Sequence, residues 1–149
     1  MGNGLRRAGP RRGACGRSLV TLFVDSSGIL ALADRDDPAH TSVVEAFTLG
    51  RSEALVTHAY VIVETLAVAR RRYGPGVTAD LIDRVIPALD VAPVDAELHL
   101  AALSAFRDTL ESSVSLVDRT SFAFMHREGI ERAIAIDADF RAAGFATLP

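Results

Sequence analysis

The chain has 149 residues, 49% of them hydrophobic, which fits one globular domain with a proper core. All 16 basic residues are arginine, and without lysine the chain cannot be a P-loop nucleotidase, a Schiff-base enzyme, a phosphoacceptor receiver domain or a haloacid-dehalogenase-type phosphatase. The formal charge of -3 hides an asymmetry, since Arg6, Arg7, Arg11, Arg12 and Arg17 put +5 into the first 17 residues and leave -8 on the rest. Non-specific attraction of that acidic body to nucleic acid is weak, so any RNA chemistry would depend on a local arginine surface and on metal ions in a site. The single Cys15 allows no intrachain disulfide and fits a reducing cytoplasm. No apolar run reaches the length of a membrane span, because Asp25, Glu64 and Asp118 break the longest ones.

Residues 1–17 are rich in Gly and Arg with almost no bulky apolar side chains, and are expected to form a flexible tail ahead of a single domain at 18–149. They make a poor signal peptide, since the apolar run that follows is short and ends in Asp25 without a small-residue cleavage site. From Leu19 the chain alternates between β-branched runs and helical periods, the pattern of a parallel sheet covered on both faces. Leu19 to Val24 predicts a buried first strand. Helices are predicted at 27–33 and 40–49, separated by the polar turn Asp34-Arg35-Asp36-Asp37-Pro38, whose acids are expected to be solvated. A short strand at 54–56 leads into a long helix at 59–73, stopped by Gly74-Pro75-Gly76. A helix at 78–89, a strand around 91–93 and a helix capped by Asp95 and running to about Thr109 follow. Ser115 caps the next helix, which ends at Gly129, and 132–136 and 146–148 supply the last strands.

Four carboxylates sit where desolvation is costly. Asp25 ends the first strand and precedes Ser26 and Ser27, at the sheet edge where open α/β folds bind ligands; it is also placed to cap the following helix. Glu64 lies among Tyr60, Val61, Ile62, Val63, Leu66, Ala67 and Val68, so no rotation of its helix offers it a polar face; the competing reading is an ion pair with an arginine from another segment. Asp118 has capping-box spacing from Ser115, yet shares a stripe with Phe122 and Met125 that faces the core. Asp137 ends the run Ala133-Ile134-Ala135-Ile136 as Asp25 ends the first strand. Asp139 follows two residues later, and Asp137 is favoured as the functional member because it directly ends the strand. Four converging acids make an oxygen cage for a hard divalent cation. His40, His58, His99 and His126 show no zinc-ligand spacing, and neither a G-x-S-x-G elbow nor a strand-linked G-x-G-x-x-G is present.

Phe23-Val24-Asp25-Ser26-Ser27, Glu64 in an apolar helix, Ser115-Leu116-Val117-Asp118-Arg119-Thr120-Ser121-Phe122 and Ile136-Asp137-Ala138-Asp139-Phe140, in this order, resemble the PIN domain, and within it the VapC-type toxin ribonucleases of bacterial toxin-antitoxin pairs. The arginine-rich extension ahead of the first strand departs from that pattern. The resemblance implies a three-layer α/β/α fold with a central parallel sheet and metal-dependent endonucleolytic cleavage of RNA. It assigns Asp25, Glu64, Asp118 and Asp137 to the acidic quartet and Ser26 to the small hydroxyl position that meets substrate. Magnesium, or manganese in its place, is then held chiefly by Asp25 and Asp118, with Glu64 and Asp137 completing the cage and positioning the attacking water. It further implies a homodimer and a cognate VapB-type antitoxin that inserts a segment, often with an arginine, into the acidic pocket. The same residues suit a PIN nuclease of RNA processing, or a catalytically silent PIN-like binding module.

Overall fold

The computed structural model describes residues 20–50 and 53–149. The expected tail at 1–17 and Leu19 lie outside the described residues. Five strands, β1 (Thr21–Val24), β2 (Ala54–His58), β3 (Asp90–Ala92), β4 (Arg132–Ile134) and β5 (Ala146–Leu148), form one sheet in the order β3-β2-β1-β4-β5. Every pairing is parallel, with Phe23 of β1 opposite Val56 of β2 on one side and Ala133 of β4 on the other. Seven helices complete the fold among the described residues, α1 (Ser26–Ala33), α2 (His40–Leu49), α3 (Ala59–Arg72), α4 (Gly74–Asp80), α5 (Ala96–Asp108), α6 (Leu116–Glu128) and α7 (Ala138–Ala142).

Leu22, Phe23 and Val24 on β1 are buried because this central strand is covered on both faces. Phe23 meets Phe124 of α6 and Phe140 of α7 with ring centroids 6.0 Å apart in each case, and His58 at 5.6 Å. Ile29, Val43, Val61, Met125 and Ile134 fill the rest of the core. The chain builds outward from β1 to β3 and then returns to lay β4 against the other side of β1. The order therefore reverses between β1 and β4, and the connections leaving those two strands part there to open a crevice at their carboxyl ends.

Gly28 sets how closely α1 approaches β4. A Cβ at this position would stand 2.8 Å from the Ile134 carbonyl oxygen, so the helix sits where a larger residue could not. Several boundaries differ from the sequence expectation: β1 begins at Thr21, β2 runs on to His58, and two others change the reading of an element. Gly74-Pro75-Gly76 ends α3 but also opens α4, since Gly74 turns the chain at φ +85° and proline is compatible with a first helical turn. The segment expected as a helix at 78–89 thus starts four residues earlier, and it finishes in a π-helical turn, Leu81–Val85, and a 3-10 turn, Ile86–Ala88. The strand expected over 132–136 pairs only through Ile134, which leaves Ala135 and Ile136 as the lead into α7.

Candidate active site

A cleft of about 400 Å³ opens at the crevice between β1 and β4. Ser26 and Ser27 of α1, Glu64 of α3, Ser115 at the N-cap of α6, Asp118 of α6, and Asp137 ahead of α7 line it. Leu30, Asp37, Val68 and Arg72 line it as well. The sequence placed Asp34, Asp36 and Asp37 in solvent, and only Asp36 is exposed: the Asp34 side chain is 18% exposed beside Arg72. Asp37 is half-buried at the cleft, where its Oδ1 accepts the Ala39 N–H at 2.8 Å.

Asp25 lies beneath the floor of the cleft, fully buried. Both roles anticipated for it coexist in one carboxylate. Its Oδ2 accepts the Ser27 N–H at 3.0 Å and the Ser27 Oγ–H at 2.6 Å, which caps α1, while its Oδ1 is buried without a hydrogen-bond partner. Burial pushes its pKa up to about 6, with the Ser27 bonds opposing and repulsion from Asp118 adding to the rise. Ser27 Oγ in turn accepts the Ile136 N–H at 3.0 Å, tying the first acid to the segment that leads to Asp137. The sequence reading missed Ser27 as a site residue. Its signal was a second hydroxyl one residue beyond Ser26.

Among the described residues Glu64 takes no arginine partner. Ser26 Oγ donates to its Oε2 at 2.6 Å, joining α1 to α3 across the cleft. Burial raises its pKa, the Ser26 bond opposes this, and the charges of Asp118 and Asp137 raise it further. The helix around it is less enclosed than its sequence suggested, since Val63 is 67% exposed on the far side. Asp118 forms the complete capping box. Its Oδ2 accepts the Ser115 N–H and Oγ–H, both at 2.8 Å, and its own N–H donates to Ser115 Oγ at 3.1 Å. Since Oδ2 takes both bonds, Oδ1 has no protein partner among the described residues. Asp137 stands at the N-cap position of α7 but makes no cap hydrogen bond, so its carboxylate is free to serve the cleft. Its pKa is raised by burial, by Asp118 and by Asp139. Asp139 itself does not line the cleft.

Asp118 is the common neighbour, because its charge raises the pKa of Asp25, Glu64 and Asp137 alike. None of the four acids forms an ion pair among the described residues. Like charges gathered without a counter-cation, one of them with an orphaned buried oxygen, fit a hard cation bound by carboxylate oxygens. Among the described residues, no three His, Cys, Asp or Glu side chains close on one point as a complete ligand set. A cation held there would need water to complete its shell.

His58 fixes the two long helices of the site relative to each other. It ends β2 fully buried, and its Nδ1 accepts the Val61 N–H at 3.4 Å, capping α3. A neutral ring that accepts at Nδ1 carries its proton on Nε2, which meets Ser121 Oγ of α6 at 3.0 Å; that hydroxyl donates to the Val117 carbonyl oxygen. Burial pulls the His58 pKa down to about 4 and keeps the ring neutral.

An all-parallel five-stranded sheet with helices on both faces and four acids at its switch point defines a nuclease-like α/β architecture. The PIN domain profile matches residues 22–146, and the chain belongs to the PIN-domain family. It is 35% identical over 126 residues to the 23S rRNA-specific endonuclease VapC20 of Mycobacterium tuberculosis, covering 83% of this chain and 95% of that protein. The crystal structure of that VapC20, described as a sarcin-ricin loop cleaving toxin, superposes with a TM-score of 0.76 at 32% identity, covering 84% of this chain and 96% of the other. DNA-bound VapBC from Salmonella typhimurium shares the fold at 13% identity with a TM-score of 0.65, covering 87% of this chain and 97% of that one.

Proposed function

We propose that the protein is a metal-dependent endoribonuclease and the toxin of a toxin-antitoxin pair, acting on ribosomal RNA. The observation that carries this reading is the convergence of Asp25, Glu64, Asp118 and Asp137, from four separate segments, at one open cleft, with no ion pair to any of them among the described residues. The similarity to VapC20 over most of both chains supports the substrate class. Magnesium, with manganese as a substitute, suits an all-oxygen donor set that leaves room for water. Asp25 and Asp118 would hold it, Asp25 through its unpartnered Oδ1 and Asp118 through the oxygen its capping box leaves free. Bound there, the cation would lower the pKa of a water and neutralise charge on the phosphate in transit.

The protein's own side chains do the rest. Ser26 orients Glu64 through their 2.6 Å hydrogen bond and stands at the cleft surface where a phosphate oxygen or ribose hydroxyl approaches. Glu64 and Asp137, with raised pKa values, are placed to hold a proton taken from the attacking water or to orient that water. Ser27 holds Asp25 and the β4–α7 connection in register, so the acids from the two sides of the switch point stay in place without substrate. The same reading carries a cognate VapB-type antitoxin whose basic segment enters the acidic cleft, and a homodimer.

Incubation of the purified protein with bacterial ribosomal RNA, followed by mapping of the new ends, tests the proposal. Discrete cleavage in magnesium or manganese, lost in EDTA and lost in Asp118→Asn, is the expected result. Intact RNA under all these conditions contradicts it.

A further inference from the structure

Acids dominate the cleft, yet RNA must enter it with a negative charge on every nucleotide. Among the described residues one basic side chain lines it, Arg72, in the last turn of α3. Glu64, Val68 and Arg72 follow at intervals of four along one helical stripe, and all three line the cleft. The stripe thus begins in the acid cage and ends at Arg72, whose backbone stands about 12 Å further along the helix axis. That placement matters. An arginine paired with the acids would occupy the cation site, whereas Arg72 forms no ion pair with any of the four among the described residues and leaves them to the metal.

Arg72 is also held ready. Its guanidinium lies over the Tyr73 ring at 5.0 Å from the centroid, which limits its wandering. Among the described residues its sole acidic partner is Asp34, at a long 3.5 Å, and the Arg72 side chain is 61% exposed. So loose and solvated a pair is readily exchanged for a phosphate, which offers a guanidinium two parallel hydrogen bonds. Arg70 and Arg71 precede it on the same helix but do not line the cleft.

We propose that Arg72 is the substrate-positioning residue of this site, gripping an RNA backbone phosphate that flanks the scissile one. The inference rests on the nuclease reading above and assigns to α3 two opposed tasks, with Glu64 serving the metal end and Arg72 the RNA end. Threading the strand between them fixes which phosphate reaches the cation.

The test is the rate of cleavage of purified bacterial ribosomal RNA at its mapped site, at saturating magnesium and varied monovalent salt. Arg72→Gln should raise KM about five- to tenfold, so that the loss in kcat/KM falls on KM. It should also flatten the slope of log kcat/KM against log salt by about 0.7, the release expected from one lost single-strand phosphate contact. Arg72→Lys, which keeps the charge but not the bidentate fork, should retain the slope and recover part of KM. Arg107→Gln, which removes an exposed arginine from α5 away from the cleft, should match wild type in both. If Arg72→Gln cleaves with the wild-type KM and salt slope, this inference fails and the nuclease reading stands. If the wild-type protein does not cleave RNA in any divalent metal, the nuclease reading fails and takes this inference with it.

Discussion

Asp25 carries two demands on one carboxylate, and its two oxygens divide them. Oδ2 is consumed by Ser27, while Oδ1 is buried with nothing to accept from. A carboxyl whose pKa is raised to about 6 from 3.8 binds its proton more tightly folded than unfolded. Its contribution to stability is thus complete below pH 3.8 and lost as pH rises through 6 in the absence of metal. His58 has the opposite sign. With a folded pKa near 4 against 6.5, it is protonated more readily when unfolded, so its contribution is present above pH 6.5 and lost as pH falls toward 4. The two offset each other between about pH 4 and 6. Asp25→Asn removes one side of this balance, and its stability in EDTA should climb with pH across that window more steeply than wild type, by up to about 1.4 kcal/mol per pH unit. Chemical denaturation from pH 4 to 7 checks this, and superimposable pH curves for the two proteins would contradict it.

Asp118 separates function from capping in a similar way. Asp118→Ala should abolish cleavage while costing about 1 kcal/mol through loss of the box with Ser115, a cost that relief of repulsion on the other three acids reduces. Full specific activity in a clearly destabilised variant would remove Asp118 from the site. At this scale the four acids were legible in the sequence, because each interrupts or ends an apolar run and so cannot be an ordinary surface group. Ser27, Asp37 and Arg72 were not. Their roles come from contacts across the cleft or from loop folding, and no local pattern marks a serine that bonds a backbone 109 residues away.

Among the elements, α1 and the pair α3–α6 decide the geometry. Gly28→Ala should destabilise the fold by about 1–3 kcal/mol and lower activity, because the new methyl meets the Ile134 carbonyl at 2.8 Å and must push α1, with Ser26 and Ser27, off β4. Thermal unfolding read beside a cleavage rate tests this. A variant as stable and active as wild type would show that the close approach is not needed. Helix starts were well marked by Asp25, Asp95 and Ser115, all of which cap, and Gly129 ends α6 in the left-handed conformation as its position suggested. The segment from Gly74 to Ala88 was misread, since proline between glycines suits either the end of one helix or the start of the next. The tie from His58 to Ser121 was also invisible, since a lone histidine at a strand end carries no periodic signal of a partner 63 residues on.

For the whole molecule, the sheet order explains the position of the site. Three acids follow or face the strands on either side of the switch between β1 and β4, and α3 brings the fourth across from the β2 side. Alternating strands and helices made the parallel α/β class legible; the strand order was not, because pattern says nothing of which strands are neighbours. An acidic cleft in an acidic body should also attract a basic antitoxin segment. Growth arrest on expression should therefore be relieved by co-expressing the product of an adjacent small gene, and harmless expression without any such partner would favour a processing nuclease over a toxin. The central claim is that the four carboxylates act as one cation site, and calorimetric titration of the EDTA-treated protein with magnesium or manganese tests it most directly. Wild type should bind at one principal site, with melting raised by about 5 °C or more at a hundredfold excess over Kd, while Asp118→Asn and Asp137→Asn each weaken binding. Unchanged affinity in both variants, or no binding by the wild-type protein at millimolar metal, would contradict it.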